Sequence, residues 1–191
     1  MNYLFLAEGF EIVEAMAPAD MLARAGVLLK TVSITSDCLV HSSHGIGVEA
    51  DMNWSEFSDT VAKEGLSDQD FLIFPGGMPG SVNLSEKDAL VDLLRRHFSR
   101  GGNVAAICAA PSVVLGKLGN AIEGRNICCY AGFEDALAAL GAKVVMEDGV
   151  VIDRNMVTSR GAGHAIAFGL AIVSVLCGQA RADQVAKSIM L

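Results

Sequence analysis

Short apolar runs alternate with helix-length segments along most of this chain. The runs carry few polar side chains, as strands buried on both faces of a parallel sheet do. The first run, residues 2–7, is followed by residues 11–25, where apolar positions recur at helical spacing before Gly26. Pro18 inside that helix predicts a kink or a tight first half. The other predicted strands are residues 28–34, 71–74, 103–107, 127–129 and 156–159.

The helices predicted further along the chain lie between these strands. Ser85 is a candidate N-cap for an amphipathic helix that ends in basic residues. A long helix rich in glycine and alanine begins at about residue 163. The predicted helices after the first are residues 85–100, 108 to about 118, 133–140, 163 onward and 182–189.

Two hairpins interrupt the alternation. Residues 41–51 alternate weakly around Gly45 and Gly47, which predicts a small β-hairpin. Asp148-Gly149 lies between strand-like residues 143–146 and 150–152, which predicts a second. The whole pattern predicts an α/β fold with a mainly parallel sheet and helices on both faces. Ligands in such folds bind beyond the carboxyl ends of the strands.

Length and charge limit the possible partners. The chain has 191 residues, 52% of them hydrophobic, which predicts one domain over residues 1–191. Its net charge of -8 argues against nucleic acid and anionic membranes as partners, because both favour basic surfaces. Residues 161–178 approach the length of a membrane span, but a buried helix is the favoured interpretation.

Cysteine usage indicates the compartment. The five cysteines are odd in number and irregularly spaced, which does not predict a disulfide framework. No cluster of histidine and cysteine has the spacing of zinc ligands, so we expect no metal. The N-terminus lacks the features of a signal peptide. A reducing, cytoplasmic environment fits these observations.

Cys108 is the most informative residue. It follows the apolar run 103–107 and precedes Ala109, Ala110 and Pro111, which predicts a strand, a sharp turn and a helix with a thiol at the corner. The start of the next helix favours negative charge, so the thiol is expected to ionise more easily than free cysteine. The alternative is a buried cysteine that packs as a small apolar residue.

Two further groups are expected at the same edge of the sheet. Gly76 and Gly77 follow a strand, and the N–H groups of Gly77 and Ala109 are candidates for binding an oxyanion or a cysteine oxide. The alternative is a plain turn. Glu14 has apolar neighbours, so its pKa is expected to rise, and a protonated carboxyl can donate to a thiolate. The alternative is a solvated face shared with Glu11.

Six segments, in order along nearly the whole chain, resemble the ThiJ/PfpI superfamily, and most closely its deglycase branch. The resemblance implies a flavodoxin-like three-layer sandwich and a homodimer. It implies that Cys108 is the reactive cysteine, Glu14 the acid that hydrogen-bonds it, and Gly77 with Ala109 the oxyanion pocket beside Gly76. The segments are GFEIVE (9–14), SHGI (43–46), FPGG (74–77), NLS (83–85), AICA (106–109) and TSRG (158–161).

The resemblance also extends to the dimer, because Arg24 and His44 fall where family dimers place residues near a neighbour's site.

The chain departs from the family pattern at three positions. Tyr130 stands where the deglycase branch has histidine, and it is a poor base at neutral pH. Ala109 replaces the histidine that follows the cysteine in peptidase-like members, which removes the base of a Cys-His pair. His164 replaces a small or hydroxyl residue; it either reaches Cys108 or lies at the surface.

Three functions remain open from the sequence. The first is an enzyme without cofactor that converts small reactive aldehydes such as methylglyoxal, with Cys108 as nucleophile and Glu14 moving the proton. The second is a redox sensor or stress-protective chaperone in which an oxidant converts Cys108 to the sulfinate. The third, which ranks last, is a peptidase or amidase that pairs Cys108 with His164.

Overall fold

A computed structural model describes all 191 residues. Ten strands and eight α-helices follow one another along the chain, with 3-10 turns at Leu115–Ile122 and Ala162–His164. The strands are β1 (Asn2–Leu6), β2 (Leu29–Ser33), β3 (Leu39–His41), β4 (Gly47–Glu49), β5 (Phe71–Phe74), β6 (Asn103–Ile107), β7 (Asn126–Ile127), β8 (Lys143–Val144), β9 (Val150–Asp153) and β10 (Met156–Ser159). The helices are α1 (Ile12–Arg24), α2 (Trp54–Glu64), α3 (Gly80–Glu86), α4 (Asp88–Ser99), α5 (Ala110–Val113), α6 (Glu134–Ala139), α7 (Ala165–Cys177) and α8 (Gln179–Ser188).

The central sheet has six strands in the order β2-β1-β5-β6-β10-β9. All neighbours are parallel except β9, which pairs antiparallel with β10. The chain leaves β1 toward β2 on one side and later returns to β5 on the other, so the strand order reverses between β1 and β5. Such a reversal opens a crevice at the carboxyl edge of a parallel sheet. The predicted α/β class is confirmed.

Two apolar cores lie on opposite faces of the sheet. Side chains of β1 alternate between them, with Tyr3 and Phe5 in one core and Leu4 and Leu6 in the other. The first core is covered by α2, α3, α4 and α6, and the second by α1, α7 and α8. Three layers, a sheet between two sets of helices, result. This is the flavodoxin-like sandwich that the sequence resemblance implies.

Helix α1 packs closely on α7. A Cβ added at Gly169 would lie 2.7 Å from the Cα of Pro18 and 2.9 Å from the Cβ of Met21, so glycine permits the close approach. The predicted effect of Pro18 is a kink or tight first half, but α1 runs continuously from Ile12 to Arg24. Packing against α7 supports this helix although Pro18 has no N–H to donate.

Helix α2 lies in a stretch for which the sequence pattern predicts no helix or strand. Its start carries a capping box: the Asn53 side chain accepts from the Glu56 N–H at 3.1 Å, and Glu56 accepts from the Asn53 N–H at 2.9 Å. The helix predicted over 85–100 is present as α4, with Arg96 and His97 in its last turn, but it begins at Asp88 because an extended Lys87 separates it from α3. Ser85 lies inside α3 and donates to the Val82 carbonyl at 2.9 Å, so it caps nothing.

The hairpin predicted over 41–51 is present as β3 and β4. The hairpin predicted around Asp148-Gly149 is wrong, because β8 pairs in parallel with β7 while β9 pairs with β10. The turn that joins β9 to β10 instead contains Arg154, whose φ of 54° is left-handed. The strand predicted over 127–129 is shorter and ends at Ile127. The apolar segment near the C-terminus contains α7, and no helix of the structure has the length and apolarity needed to span a membrane.

Candidate active site

Three chain segments converge at the carboxyl edge of the sheet. Cys108 follows β6, Gly76 and Gly77 follow β5 after Pro75, and Glu14 lies in the first turn of α1, which follows β1. The three strands are neighbours in the sheet. The topology therefore brings a thiol, two glycine amides and a carboxyl to the crevice where the strand order reverses.

Cys108 occupies a strained corner. Its φ of 66° lies in the left-handed region, which non-glycine residues rarely adopt. The Cys108 N–H donates to the Ser159 carbonyl at 2.9 Å, and the Cys108 carbonyl accepts from the Tyr130 N–H at 2.8 Å. The side chain is only partly buried. These two hydrogen bonds fix the backbone of the corner, and the partly buried side chain packs against the second core while it also lines a cavity.

Glu14 is buried, with 1% of its surface exposed. The Glu14 N–H donates to the Glu11 carboxylate at 2.7 Å, which caps α1 and fixes its first turn. The Gly76 N–H donates to Glu14 Oε2 at 3.0 Å. The pKa of Glu14 is raised to about 7, chiefly by burial and in part by the charge of Glu11, while hydrogen bonds with Cys108 and Gly76 oppose the rise. Of the two interpretations from the sequence, a solvated face is wrong.

The glycine pair permits this closeness. A Cβ at Gly76 would overlap Glu14 Oε2 and would lie 2.5 Å from the Cβ of Cys108. Gly77 has a φ of 92°, and a Cβ there would lie 2.5 Å from the Glu11 N and the Gly9 O. Glycine is required at both positions for the β5 turn to pass between α1 and the cysteine corner.

The ionisation of Cys108 differs from the sequence expectation. The pKa of the thiol is raised to about 12, chiefly by burial and in part by the charge and hydrogen bonding of Glu14. Hydrogen bonds from the N–H groups of Gly77 and Ala109 lower it by less. The expectation of a thiol more acidic than free cysteine is therefore wrong, because burial is the largest cause of the rise. The two titrations are coupled, because the charge and the hydrogen bond of Glu14 both raise the pKa of Cys108.

A cavity of about 410 Å³ surrounds the pair. Of the residues singled out in the sequence, it contains Cys108, Glu14, Gly77, Ala109, His44 and Tyr130. Tyr130 is 52% exposed, and its ring meets Phe133 edge to face. The lining residues that sequence reasoning missed as site residues are Glu11, Met78, Phe133 and Ala162. Glu11 has a visible signal, because it lies three positions before Glu14 at the start of a helix.

His164, and also Arg24, which is expected near a neighbour's site in a dimer, do not line the Cys108 cavity of the same chain. Arg24 is exposed in the last turn of α1, where its Nε donates to Asp20 at 2.7 Å, and it lines no cavity. His164 is absent from the lining of the Cys108 cavity; its ring packs against Gly149 and lines a neighbouring cavity. No Cys-His pair forms between Cys108 and His164 in this arrangement.

The arrangement defines a class of protein: a flavodoxin-like α/β protein with a cysteine at a strand-to-helix corner and a buried acid beside it. Residues 2–175 match the model of the DJ-1/PfpI family. The chain belongs to this family, as the sequence resemblance indicates.

Curated relatives agree over nearly the whole chain. It is 34% identical to protein dj-1beta of Drosophila melanogaster, over 98% of this chain and 95% of that protein. It is 35% identical to protein DJ-1 homolog A of Arabidopsis thaliana, over 97% of this chain, but spans only 45% of that longer relative. Protein DJ-1 homolog B of the same plant is likewise longer, and the chain spans 40% of it.

Solved structures show the same fold. The structure of Drosophila melanogaster DJ-1beta superposes with a TM-score of 0.88 at 33% identity, covering 100% of this chain and 99% of that one. Oxidized Toxoplasma gondii DJ-1 superposes with a TM-score of 0.87 at 32% identity, covering 98% and 96%. The β-strand corner and glycine turn described above thus lie in a fold shared along the full chain.

Proposed function

We propose that this protein converts small α-oxoaldehydes to hydroxy acids without a cofactor, with Cys108 as the nucleophile. The observation that carries the proposal is the contact set at Cys108: a buried carboxyl and the N–H groups of Gly77 and Ala109 act on the same sulfur in one cavity. A relative, the glutathione-independent glyoxalase DJR-1.2 of Caenorhabditis elegans, is 28% identical over 96% of this chain. Its name supports the same chemistry here.

The first step uses Glu14 as a base. The raised pKa of Cys108 means that free thiolate is scarce when Glu14 is ionised, so the Glu14 carboxylate takes the thiol proton as sulfur attacks the aldehyde carbon. An S–C bond forms, and the carbonyl electron pair moves to oxygen. The N–H groups of Gly77 and Ala109 stabilise that oxyanion until Glu14 returns the proton to it.

The later steps need no external oxidant. Glu14 removes the hydrogen of the former aldehyde carbon as a proton, which gives an enediol, and delivers a proton to the neighbouring ketone carbon. The hydroxyl proton on the first oxygen passes to the former ketone oxygen, so the product is a 2-hydroxy thioester on Cys108. Water then cleaves the thioester, and the free thiol and the hydroxy acid leave. The aldehyde carbon is oxidised and the ketone carbon is reduced, so methylglyoxal plus water gives lactate. A carboxyl whose pKa is about 7 suits repeated proton transfer near neutral pH.

Lactate formation from methylglyoxal tests the proposal. We expect purified wild-type protein to form lactate, and both Cys108→Ala and Glu14→Ala to lose at least about 100-fold in rate, since each removes an atom that reacts. Glu49→Gln, which changes an exposed carboxylate on β4, serves as the control. A wild-type rate equal to that of Cys108→Ala overturns the proposal.

A second function is supported by the same corner. Cys108 is partly exposed, and a protonated Glu14 together with the Gly77 and Ala109 N–H groups can donate to sulfinate oxygens. One solved relative is oxidized Toxoplasma gondii DJ-1. We infer an oxidant-sensing role in which Cys108 gains oxygen first. Peptide mass spectrometry after mild peroxide tests it, and oxidation of exposed Cys177 before Cys108 contradicts it.

We also propose that the chain forms a homodimer through the α1 and α7 side of the molecule. Val13 at the start of α1 is 47% exposed and Ile166 at the start of α7 is 42% exposed, although both helices are otherwise packed together. Exposed apolar side chains on adjacent elements are typical of protein contact surfaces. Light scattering gives the mass in solution, and we expect Val13→Glu with Ile166→Glu to shift a dimer to monomer. A wild-type monomer contradicts the proposal.

A further inference from the structure

A second cavity of about 500 Å³ adjoins the one that contains Cys108. The two cavities share Tyr130 and Ala162 in their linings. They meet beside Gly161, where an added Cβ would lie 3.5 Å from the Tyr130 ring and 3.8 Å from Glu14 Oε1. A molecule held at Cys108 can therefore extend past Tyr130 into the second cavity.

Arg160 supplies unused hydrogen-bond donors to this second cavity. Arg160 directly follows Ser159, whose carbonyl accepts the Cys108 N–H. Its backbone therefore lies on the strand next to that of Cys108, and neighbouring strands are about 4.8 Å apart. Its guanidinium makes one hydrogen bond, from Nη1 to the Met146 carbonyl at 2.8 Å. It takes part in no salt bridge. Nε is buried without a partner, and Nη2 and the second hydrogen of Nη1 also have no partner in the chain.

His164 lines the same cavity from the opposite element. It directly precedes α7, its ring packs against Gly149, and it makes no side-chain hydrogen bond or salt bridge. Tyr130, half exposed on the border of the two cavities, contributes a hydroxyl donor.

The charge of the second cavity differs from that of the molecule as a whole and from that of the Cys108 cavity. The net charge is -8, and the Cys108 cavity itself contains the carboxyls of Glu11 and Glu14, which repel anions. The second cavity contains no carboxylate in its lining and has Arg160 and His164 instead. Paired N–H donors on a planar guanidinium match the oxygens of a carboxylate or a phosphate.

We propose that Arg160 and His164 form an anion subsite that binds the carboxylate or phosphate of an aldehyde substrate whose carbonyl is held at Cys108. This inference rests on the proposed function and narrows its substrate class. The preferred substrates are α-oxoaldehydes that carry an anionic group, and neutral methylglyoxal uses the Cys108 cavity alone.

Alkylation of Cys108 tests the subsite without turnover. Iodoacetate and iodoacetamide react alike with a thiol, but only iodoacetate carries a negative charge. We expect the iodoacetate-to-iodoacetamide rate ratio at Cys108, measured by peptide mapping, to fall about tenfold in Arg160→Gln/His164→Gln. The iodoacetamide rate itself should stay within about twofold of wild type. Arg96→Gln, an exposed arginine on α4, is the matched control and should leave the ratio unchanged.

Conservative variants protect the test against misfolding. Arg160→Lys retains the charge and should recover at least half of the logarithmic change in the ratio. His164→Gln alone changes an exposed side chain, and it should lower the ratio by a smaller factor than the double variant. A ratio that is unchanged in folded Arg160→Gln and in His164→Gln overturns the subsite.

Turnover distinguishes the subsite from the proposed function. We expect kcat/KM to be at least about tenfold higher for 4,5-dioxopentanoate than for its neutral methyl ester in wild type, and equal for both in the double variant. A phosphorylated α-oxoaldehyde, 3-phosphonooxy-2-oxopropanal, measured in parallel shows which anion is preferred. Conversion of methylglyoxal with no preference for either anion overturns the subsite but leaves the proposed function intact. If wild type converts none of these aldehydes but the double variant has a lowered alkylation ratio, the proposed function is overturned and the anion subsite is retained.

Discussion

At the scale of single residues, the site depends on one negative charge shared between Cys108 and Glu14. The pKa of Glu14 is raised to about 7 by burial and that of Cys108 to about 12, with ionised Glu14 contributing to the second rise. A proton on Glu14 removes the charge repulsion and converts the carboxyl from a hydrogen-bond acceptor to a donor. The reactive state therefore requires the acid and the thiol to exchange a proton, and neither residue is sufficient alone.

Replacing Glu14 by glutamine separates reactivity from turnover. Glu14→Gln removes the charge that raises the pKa of Cys108, so more thiolate forms at pH 7, and each unit of pKa is worth about tenfold in thiolate. We expect alkylation of Cys108 by iodoacetamide to become about tenfold faster. Lactate formation should fall at least about 100-fold, since the base is gone. Slower alkylation in Glu14→Gln would show that the neutral carboxyl stabilises the thiolate instead.

Gly76 tests whether the close approach of the acid and the cysteine matters. Gly76→Ala places a methyl group against Glu14 Oε2 and 2.5 Å from the Cβ of Cys108, so one of the two side chains must move. We expect lactate formation to fall at least about 100-fold, because small displacements of reacting groups are costly. Gly116→Ala is the control, since its Cβ meets only Leu140 at 3.8 Å. Equal activity of the two variants would contradict this role of Gly76.

At the scale of elements, the site is assembled by helix packing as much as by the strands. Glu14 is carried by α1, and α1 is held against α7 by the close contact of Gly169 with Pro18 and Met21. The sheet fixes Cys108 and the glycine turn, but the depth of the carboxyl depends on this helix pair. A change on α7 should therefore reach the active site through α1.

Gly169→Val tests that dependence. A valine side chain at Gly169 would overlap the backbone of Pro18, and overpacking of this kind costs about 1–3 kcal/mol. We expect the free energy of unfolding, measured in urea, to fall by that amount and lactate formation to fall with it. Ala167→Val introduces the same side chain on an exposed part of the same helix and should change stability by less than about 1 kcal/mol. Equal effects of the two variants would mean that the helix contact is not tight.

The elements also show where sequence reasoning succeeds. The Cys108 corner and the glycine turn can be predicted because each depends on a local pattern, in which small residues directly follow an apolar strand. The β8–β9 hairpin is wrongly predicted because Asp148-Gly149 is a favourable turn, yet β8 finds a parallel partner in β7, an interaction between distant segments. The rise in the pKa of Cys108 depends on burial and on Glu14, 94 positions away along the chain, and no local pattern contains it.

At the scale of the whole molecule, two buried groups oppose each other in the pH dependence of stability. His97 is fully buried on α4, where its Nε2 lies 3.0 Å from the Asp70 carbonyl and 3.2 Å from the Asn103 carbonyl. It joins the starts of β5 and β6, far from Cys108. Burial lowers the pKa of His97 and raises that of Glu14, so their contributions to stability have opposite signs.

His97 makes the folded state less stable as the pH falls, because the folded and unfolded chains bind protons differently. Below the unfolded pKa of about 6.5 the unfolded chain binds a proton that the folded histidine refuses, so stability is present above that pH and is lost as the pH falls toward the folded value. We expect the midpoint of urea unfolding to decrease between pH 6.5 and pH 5, and His97→Gln to flatten that slope. A slope unchanged in His97→Gln would assign the acid sensitivity to another group.

Glu14 acts in the opposite direction. Its folded pKa of about 7 lies above the value of 4.5 for an exposed glutamate, so the folded state holds a proton that the unfolded chain releases. The stabilisation from this group is present below pH 4.5 and is lost as the pH rises through 7, a change of about 3 kcal/mol at 1.36 kcal/mol per unit. We expect Glu14→Gln to be more stable than wild type at pH 8 and to lose that advantage at pH 5, with Glu49→Gln as the control. Burial of this carboxyl beside Cys108 destabilises the fold once Glu14 is ionised. If the free energy of unfolding of Glu14→Gln at pH 8 equals that of wild type, Glu14 is ionised without penalty. It is then not the group that exchanges the proton with Cys108.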